Sequence, residues 1–350
     1  MPFVFSIKDT YRQAVEAATG GKNTVMYDDK GNPSIMVAIP RFNIADVIDG
    51  GPNDPHPAFI VNGVTKDMIY VSKFQNIVHD SRAYSLPGQD PTTSVDFDQA
   101  VNYSKNKGAG WHLMTNAEWA AIALWCKKNG FMPRGNNDYG NDIGAPWEKG
   151  VETYGGGDPY QTYRVATGSG PATWAHDGTN DGIFDLNGNV REWTGGLRTL
   201  DGEIQVLVDN NASINTKDQT AASTEWKAIA SADGAYVVPG TAGTLKYDAT
   251  SPIQLSDTIT TIASVYNAFE DIAVAAGVGT APAIAKALGL APVDANHGGD
   301  RLYVNTEGER LPYRGGNWIY GTDAGVFYLL LNYERTNSSS DIGFRCAFIG

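Results

Sequence analysis

Apolar residues recur at every second position near the C-terminal end of the chain. Phe327, Leu329 and Leu331 alternate with Tyr328, Leu330 and Asn332, and Ile342, Phe344, Cys346 and Phe348 repeat the pattern. A period of two marks an extended strand, whose side chains point alternately to opposite faces. Phe327, Leu329 and Leu331 are therefore expected in a core, with Tyr328, Leu330 and Asn332 turned outward, where residues can vary without loss of packing. Glycine supplies 40 of the 350 residues, against a usual ~7 %, and aromatics are abundant. Together they predict a loop-rich fold with many tight turns.

The length predicts about two domains, or one large domain with an insertion. A charge of −13 argues against a nucleic-acid binder, which needs a basic stripe to replace phosphate counterions. It argues equally against docking on an anionic membrane. No apolar run is long enough for a transmembrane helix. The start, MPFVFSIKDTYRQ, does not read as a secretory signal peptide. Two cysteines, Cys126 and Cys346, make no disulfide framework and no CxxC knuckle, and read as buried thiols.

Residues 1–55 read as a small attachment unit: a helix over 7–18 ended by Gly20-Gly21, then two strands around the Lys30-Gly31-Asn32 turn. It is too small to stand alone and is expected to pack on the next unit or on a partner chain. Residues 56–350 read as the main domain. It has a strand over 67–76, a helix after Asp96 ending at Gly108, and a second helix started by the Thr115–Glu118 capping box and stopped by Gly130. The stretch 133–182 has little periodicity and reads as an ordered loop or a set of turns. Residues 199–310 read as an insertion, with a strand at GEIQVLV, a helix over about 256–275 and AIAKALGL after it.

No known catalytic spacing appears. The histidines at 56, 79, 112, 176 and 297 form no HExxH pair, and neither a GxSxG elbow nor a phosphate loop is present. Asp177, Asn180, Asp181 and Asp185 cluster in an oxygen-rich loop that suits either turn capping or calcium. Arg314, Arg335 and Arg345 are expected to pair with carboxylates.

Four segments, HLMTNAEW (112–119), FDLNGNVREWTGG (184–196), YRGGNW (313–318) and IGFRCAF (342–348), stand in an order that resembles the formylglycine-generating-enzyme, or sulfatase-modifying-factor, type of C-type lectin fold. That family carries a T-E-A-E-W-like helix start, a G-N-V-W-E-W strand, an R-G-G-S-W turn and a terminal G-F-R-C-A. The resemblance implies an α+β, loop-rich fold over roughly 58–198 and 311–350. Enzymatic members place catalytic cysteines soon after the R-G-G-S-W turn. Here Ile319–Gly325 holds none, so the resemblance implies the fold without copper–thiolate oxidase chemistry. It also implies a calcium site made by Asn187, Gly188, Val190 and Glu192, hard oxygen ligands that suit Ca²⁺.

The string RGGNWIYGTDAGVFYLLLNYERTNSSSDIGFRCAF further resembles the variable region of target proteins of diversity-generating retroelements. Their frame is R-G-G-x-W, A-G-V-F-x-L-x-L, an Arg and I-G-F-R, matched by Arg314–Trp318, Ala324–Leu331, Arg335 and Ile342–Arg345. The resemblance implies a hypervariable ligand-binding region over 311–350, diversified at Ile319, Tyr320, Thr322, Asp323, Tyr328, Leu330, Asn332, Tyr333, Asn337, Ser339 and Asp341. An Asn codon changed only at its adenines cannot give Glu, Lys, Gln, Met or Trp, and none of these positions holds one. Tyr320, Tyr328 and Tyr333 suit the aromatic anchors of a paratope. The region is net neutral and holds eight of the chain's aromatics in its forty residues.

The implied function is non-enzymatic binding of a protein or glycan receptor on a cell surface. The setting would be a phage tail in the virion, in a homo-oligomer such as a trimer, with no nucleic-acid partner and no membrane insertion. The alternatives are an exported variable protein of the bacterial surface, a structural decoration protein, and a degenerate or active formylglycine-generating-type oxidase.

Overall fold

Local signals fix the helix starts. In the computed structural model, which describes residues 9–156 and 161–350, Asp96 caps the helix Phe97–Lys105 and Thr115 caps the helix Asn116–Lys128, each in a reciprocal capping box. The Thr115 hydroxyl accepts from the Glu118 N–H at 3.1 Å, and the Glu118 carboxylate accepts from the Thr115 N–H at 2.9 Å. Ten of the thirteen residues of the second helix are buried, so it forms the spine of the core rather than a surface helix. The opening helix spans Thr10–Ala18 and is capped by Asp9. Residues 1–8, including the first two of the expected helix, lie outside the described residues, as do 157–160 of the expected 133–182 loop. The rest of that loop is built from turns, the short strands Asn141–Asp142, Ala145–Lys149, Glu152–Gly155 and Thr162–Val165, and one 3-10 turn at Ala172–Trp174. Among the described residues no helix is long and apolar enough to cross a membrane.

The hairpin forms as its turn predicts, with Asn23–Tyr27 antiparallel to Pro33–Pro40. It does not stand apart. Pro33–Pro40 pairs with Met68–Ser72, which pairs with Cys346–Phe348, which pairs with Trp111–Leu113. Val37 faces Val71, Val71 faces Ala347, and Ala347 faces His112. One five-stranded sheet thus joins both ends of the chain across the expected boundary at 55.

A second, larger sheet runs through both 199–310 and 311–350. Its order is Ser264–Ala268, Arg301–Asn305, Gly325–Tyr333, Glu309–Gly315, Leu197–Leu200, Glu203–Val206 and on to Lys246–Asp248 and Gln254–Ser256. Arg191–Trp193 lies beside Glu309–Gly315 and runs parallel to Ile342–Phe344. The helix expected over 256–275 is not there. Residues 264–268 form a strand in register with 301–305, Tyr266 opposite Tyr303, because long-range pairing of a β-branched and aromatic segment outweighs its helix-like spacing. Ala283–Ala287 within AIAKALGL is a short helix.

The strand Gly325–Tyr333 sits between two neighbours and is buried on both faces. Phe327, Leu329 and Leu331 belong to one core cluster and Tyr328 and Leu330 to a second, with Phe97, Trp193, Tyr313, Ile342 and Phe344. The alternation is as expected. The outward position of Tyr328 and Leu330 is not: they are 0 % and 2 % exposed, because Trp193, Tyr313 and the Phe97–Lys105 helix cover that face.

Candidate functional site

The strand Glu309–Gly315 ends in the Gly315-Gly316 pair. Gly316 has φ +77°, and a Cβ there would stand 2.6 Å from the Ala324 methyl, so only glycine lets the chain turn here. Trp318 then stacks on Tyr163, 5.3 Å between centroids and nearly parallel. The Tyr139 N–H donates to the Trp318 carbonyl and the Gly321 N–H to that of Asn137. Between these anchors residues 319–323 cross the top of the sheet, and the chain returns as Gly325–Tyr333.

Period two alone would turn Tyr333 to the same face as Leu331. The pairs Leu311–Tyr333 and Tyr313–Leu330 enclose one more residue on the second strand than on the first. This bulge re-aims the strand end. Tyr333 therefore joins Tyr313, at 5.9 Å, on the face of Tyr328.

On that face the aromatic rings surround Arg191. Its guanidinium lies 5.3 Å from the ring centre of Tyr313, 5.9 Å from Tyr320 and 5.8 Å from Tyr333. Tyr320 packs on Tyr328 at 5.2 Å, and Tyr303 touches both. Arg191 pairs with Asp341 at 2.5 Å, and the Asn317 amide donates to the same carboxylate oxygen. Burial is the largest influence and opposes the Arg191 charge, but Asp341 together with the hydroxyls of Tyr328, Tyr320 and Tyr313 outweighs it and holds the guanidinium further above its ordinary range. Burial also pushes the Tyr313 and Tyr328 hydroxyls up.

The eleven sequence-selected residues separate into four settings. Tyr320, Tyr328, Tyr333, Asn337 and Asp341 meet around Arg191 and Tyr313, where the Asn337 amide donates to the Tyr313 hydroxyl at 2.9 Å. Asn332 is half-buried at the strand end, next to Tyr333 in the chain. Ile319 and Thr322 are exposed on the crossing segment, and Asp323 there pairs with Arg301 at 2.7 Å. Ser339 is half-buried, its carbonyl accepting from the Ser94 and Ile342 N–H groups. Leu330 is core. Sequence reasoning missed Arg191, Tyr303 and Asn317. Arg191 had a signal, since it stands in GNVREW where the resembled pattern has tryptophan. Tyr303 had none, being brought in by long-range strand pairing.

The four residues expected to hold calcium do not form a cradle. Arg345 donates to both Glu192 oxygens, at 2.5 and 2.6 Å, and Gln75 donates to Glu192 and to the Val190 carbonyl. The Asn187 amide donates to the Pro133 carbonyl and accepts from Asn137. Gly188 lies hard against the Asn136 backbone. A cation at Glu192 would face a guanidinium already in place, so these residues do not fit Ca²⁺. In the 177–185 loop, Asp177 accepts from the Thr179 N–H and hydroxyl, the turn-capping role. Among the described residues, no three His, Cys, Asp or Glu side chains are placed to hold a metal. Arg335 pairs with Glu309 and Asp98 as expected. Arg314 instead donates to the Asn116 amide oxygen and the Gly289 carbonyl, and burial without a carboxylate brings it down to about 10.

No curated protein matches the chain. Among solved structures it aligns with Treponema denticola variable protein 1 at 12% identity, covering 93% of this chain and 98% of that one, with a TM-score of 0.33. It aligns with PvdO from Pseudomonas aeruginosa at 17%, covering 93% and 97%, with a TM-score of 0.31. It aligns with the P3c variant of the major tropism determinant at 11%, covering 93% and 71%, with a TM-score of 0.30. The family model of the sulfatase-modifying factor enzyme 1-like domain matches residues 13–239, about two thirds of the 350. On that match, and on the α+β architecture around Thr115–Glu118 and Arg191–Trp193, the chain belongs to the sulfatase-modifying factor enzyme 1-like family.

Proposed function

We propose that this chain is a non-enzymatic ligand-binding protein that presents residues 319–341 as a variable face. The setting is host-receptor binding at a phage tail, and the partner is a protein or glycan on a cell surface. Several copies, as in a trimer, would raise a weak single-site affinity by avidity. One observation carries the proposal: the frame segments on either side of that face are buried while the residues between them reach the surface. Residues 311–318, 324–331 and 342–347 are buried; Ile319, Tyr320, Thr322, Asp323, Asn332, Tyr333, Asn337 and Ser339 are exposed or half-buried. Such a face changes its contacts while the frame keeps its packing. Tyr328 and Asp341 form its floor.

The thiols support a non-catalytic role. Cys126 and Cys346 are both buried. The Cys126 thiol donates to the His176 carbonyl, and burial pushes it up, away from the reactive thiolate.

Sequencing the gene from many isolates tests the proposal. Variation concentrated at the surface positions of 319–341, with a near-copy of that stretch beside a reverse-transcriptase gene, is the expected result. Variation spread evenly over the chain would overturn it, as would turnover of a cysteine in a sulfatase peptide.

A further inference from the structure

Three buried side-chain atoms around Arg191 have no hydrogen-bond partner among the described residues: Arg191 Nε, Tyr328 Oη and Asp341 Oδ1. Buried polar groups are almost always paired, so a concentration of unpaired ones at one place points to a missing partner. Arg191 lies on the Arg191–Trp193 strand, locked between Glu309–Gly315 and Ile342–Phe344. Its side chain is 8 % exposed, and Asp341 is its sole carboxylate partner among the described residues. Around the pair stand the rings of Tyr313, Tyr320 and Tyr333, which keep bulk water from the charge. The two partners come from different parts of the design: Arg191 from the scaffold, Asp341 from the variable face.

We propose that Arg191 is a fixed anion-binding subsite at the floor of the face, and that residue 341 decides whether it is open. This rests on the reading of 319–341 as a variable face. In this chain Asp341 fills the subsite from within. The pair is then neutral and leaves Asp341 Oδ1 as an acceptor for a donor on the ligand. In a sister chain with a short neutral residue at 341, the guanidinium keeps its charge and loses its counter-ion. A buried, unpaired guanidinium is costly, so it captures an anion from the ligand. The ligand group is a carboxylate or sulfate, whose paired oxygens match the guanidinium fork. One substitution at 341 thus exchanges a donor-bearing ligand group for an anionic one, with the scaffold unchanged.

The test is calorimetric titration of sulfate, and separately of acetate, at constant ionic strength. It uses the parent chain, Asp341→Ser, Asp341→Asn, and the double variant Asp341→Ser with Arg191→Gln. Asp341→Ser is expected to bind at least about tenfold more tightly than the parent, and the double variant to lose the gain. If Asp341→Ser folds only with sulfate present, the proposal stands. If it does not fold at all, Asp341→Asn, which keeps the side-chain shape, decides. A folded neutral variant that binds no more tightly than the parent overturns the subsite, as does a gain that survives loss of Arg191. Sequences from isolates separate this from the underlying reading. An invariant Asp341 would remove that position from the variable set and leave the titration untouched.

Discussion

Arg345 has no exposed surface, and Glu192 is its one carboxylate partner among the described residues. Gln75 closes the network from the other side. The same Glu192 would have to serve a calcium ion if the motif NGNVRE held one. The two roles compete for the same oxygens, and a guanidinium bound through two hydrogen bonds already supplies the positive charge. Replacing Glu192 by Ala leaves that charge buried and unpaired, which costs about 3–5 kcal/mol. Urea denaturation of Glu192→Ala should show a loss of that order, while EDTA should leave the parent's unfolding midpoint where it was. A midpoint lowered by EDTA would restore the calcium assignment.

The Asn116–Lys128 helix shows what a local signal can and cannot carry. Thr115 and Glu118 satisfy each other's backbone N–H groups, a bond pattern written within four residues. The Thr115 hydroxyl also donates to Asn210, whose amide returns to Glu118. Thr115→Ala should therefore cost toward the upper end of the cap range, about 2 kcal/mol, and Thr115→Ser much less; chemical denaturation of both variants checks this. The cap, the Lys30-Gly31-Asn32 turn and the strand alternation are legible because their partners lie close in sequence. The strand at 264–268 is not, since its partner 301–305 lies more than thirty residues away. The same limit hid the site's floor. Tyr328 reads as an outward tyrosine until Phe97, Trp193 and Tyr313 are brought over it. The bulge that turns Tyr333 toward Arg191 depends on the register with Leu311 and Tyr313, which period two alone cannot show.

Across the whole molecule, three histidines, His56, His176 and His297, link folding to pH. His56 is fully buried: its Nδ1 accepts from the Ala58 N–H and its Nε2–H donates to the Ala287 carbonyl. This uses both ring nitrogens of the neutral form and leaves no acceptor for a second proton. Burial holds His56 down to about 4, with the Ala287 carbonyl pulling weakly the other way. Burial does the same to His176 and His297, each to about 4. The unfolded chain takes up these protons near pH ~6.5, and the folded chain only near pH 4. Stability from each ring is thus complete above the unfolded value and is lost as pH falls toward 4. Asp185 works the opposite way, since burial raises it to about 6, so acid relieves its charge. A single variant isolates one ring. His56→Gln lowers stability at pH 7 by losing well-made bonds, but it also removes the proton uptake. The gap between parent and variant should therefore narrow by on the order of 3 kcal/mol between pH 7 and pH 4. Urea midpoints at four or five pH values read this directly, and a gap that stays constant would show that His56 takes up its proton at the same pH in the folded and unfolded chain.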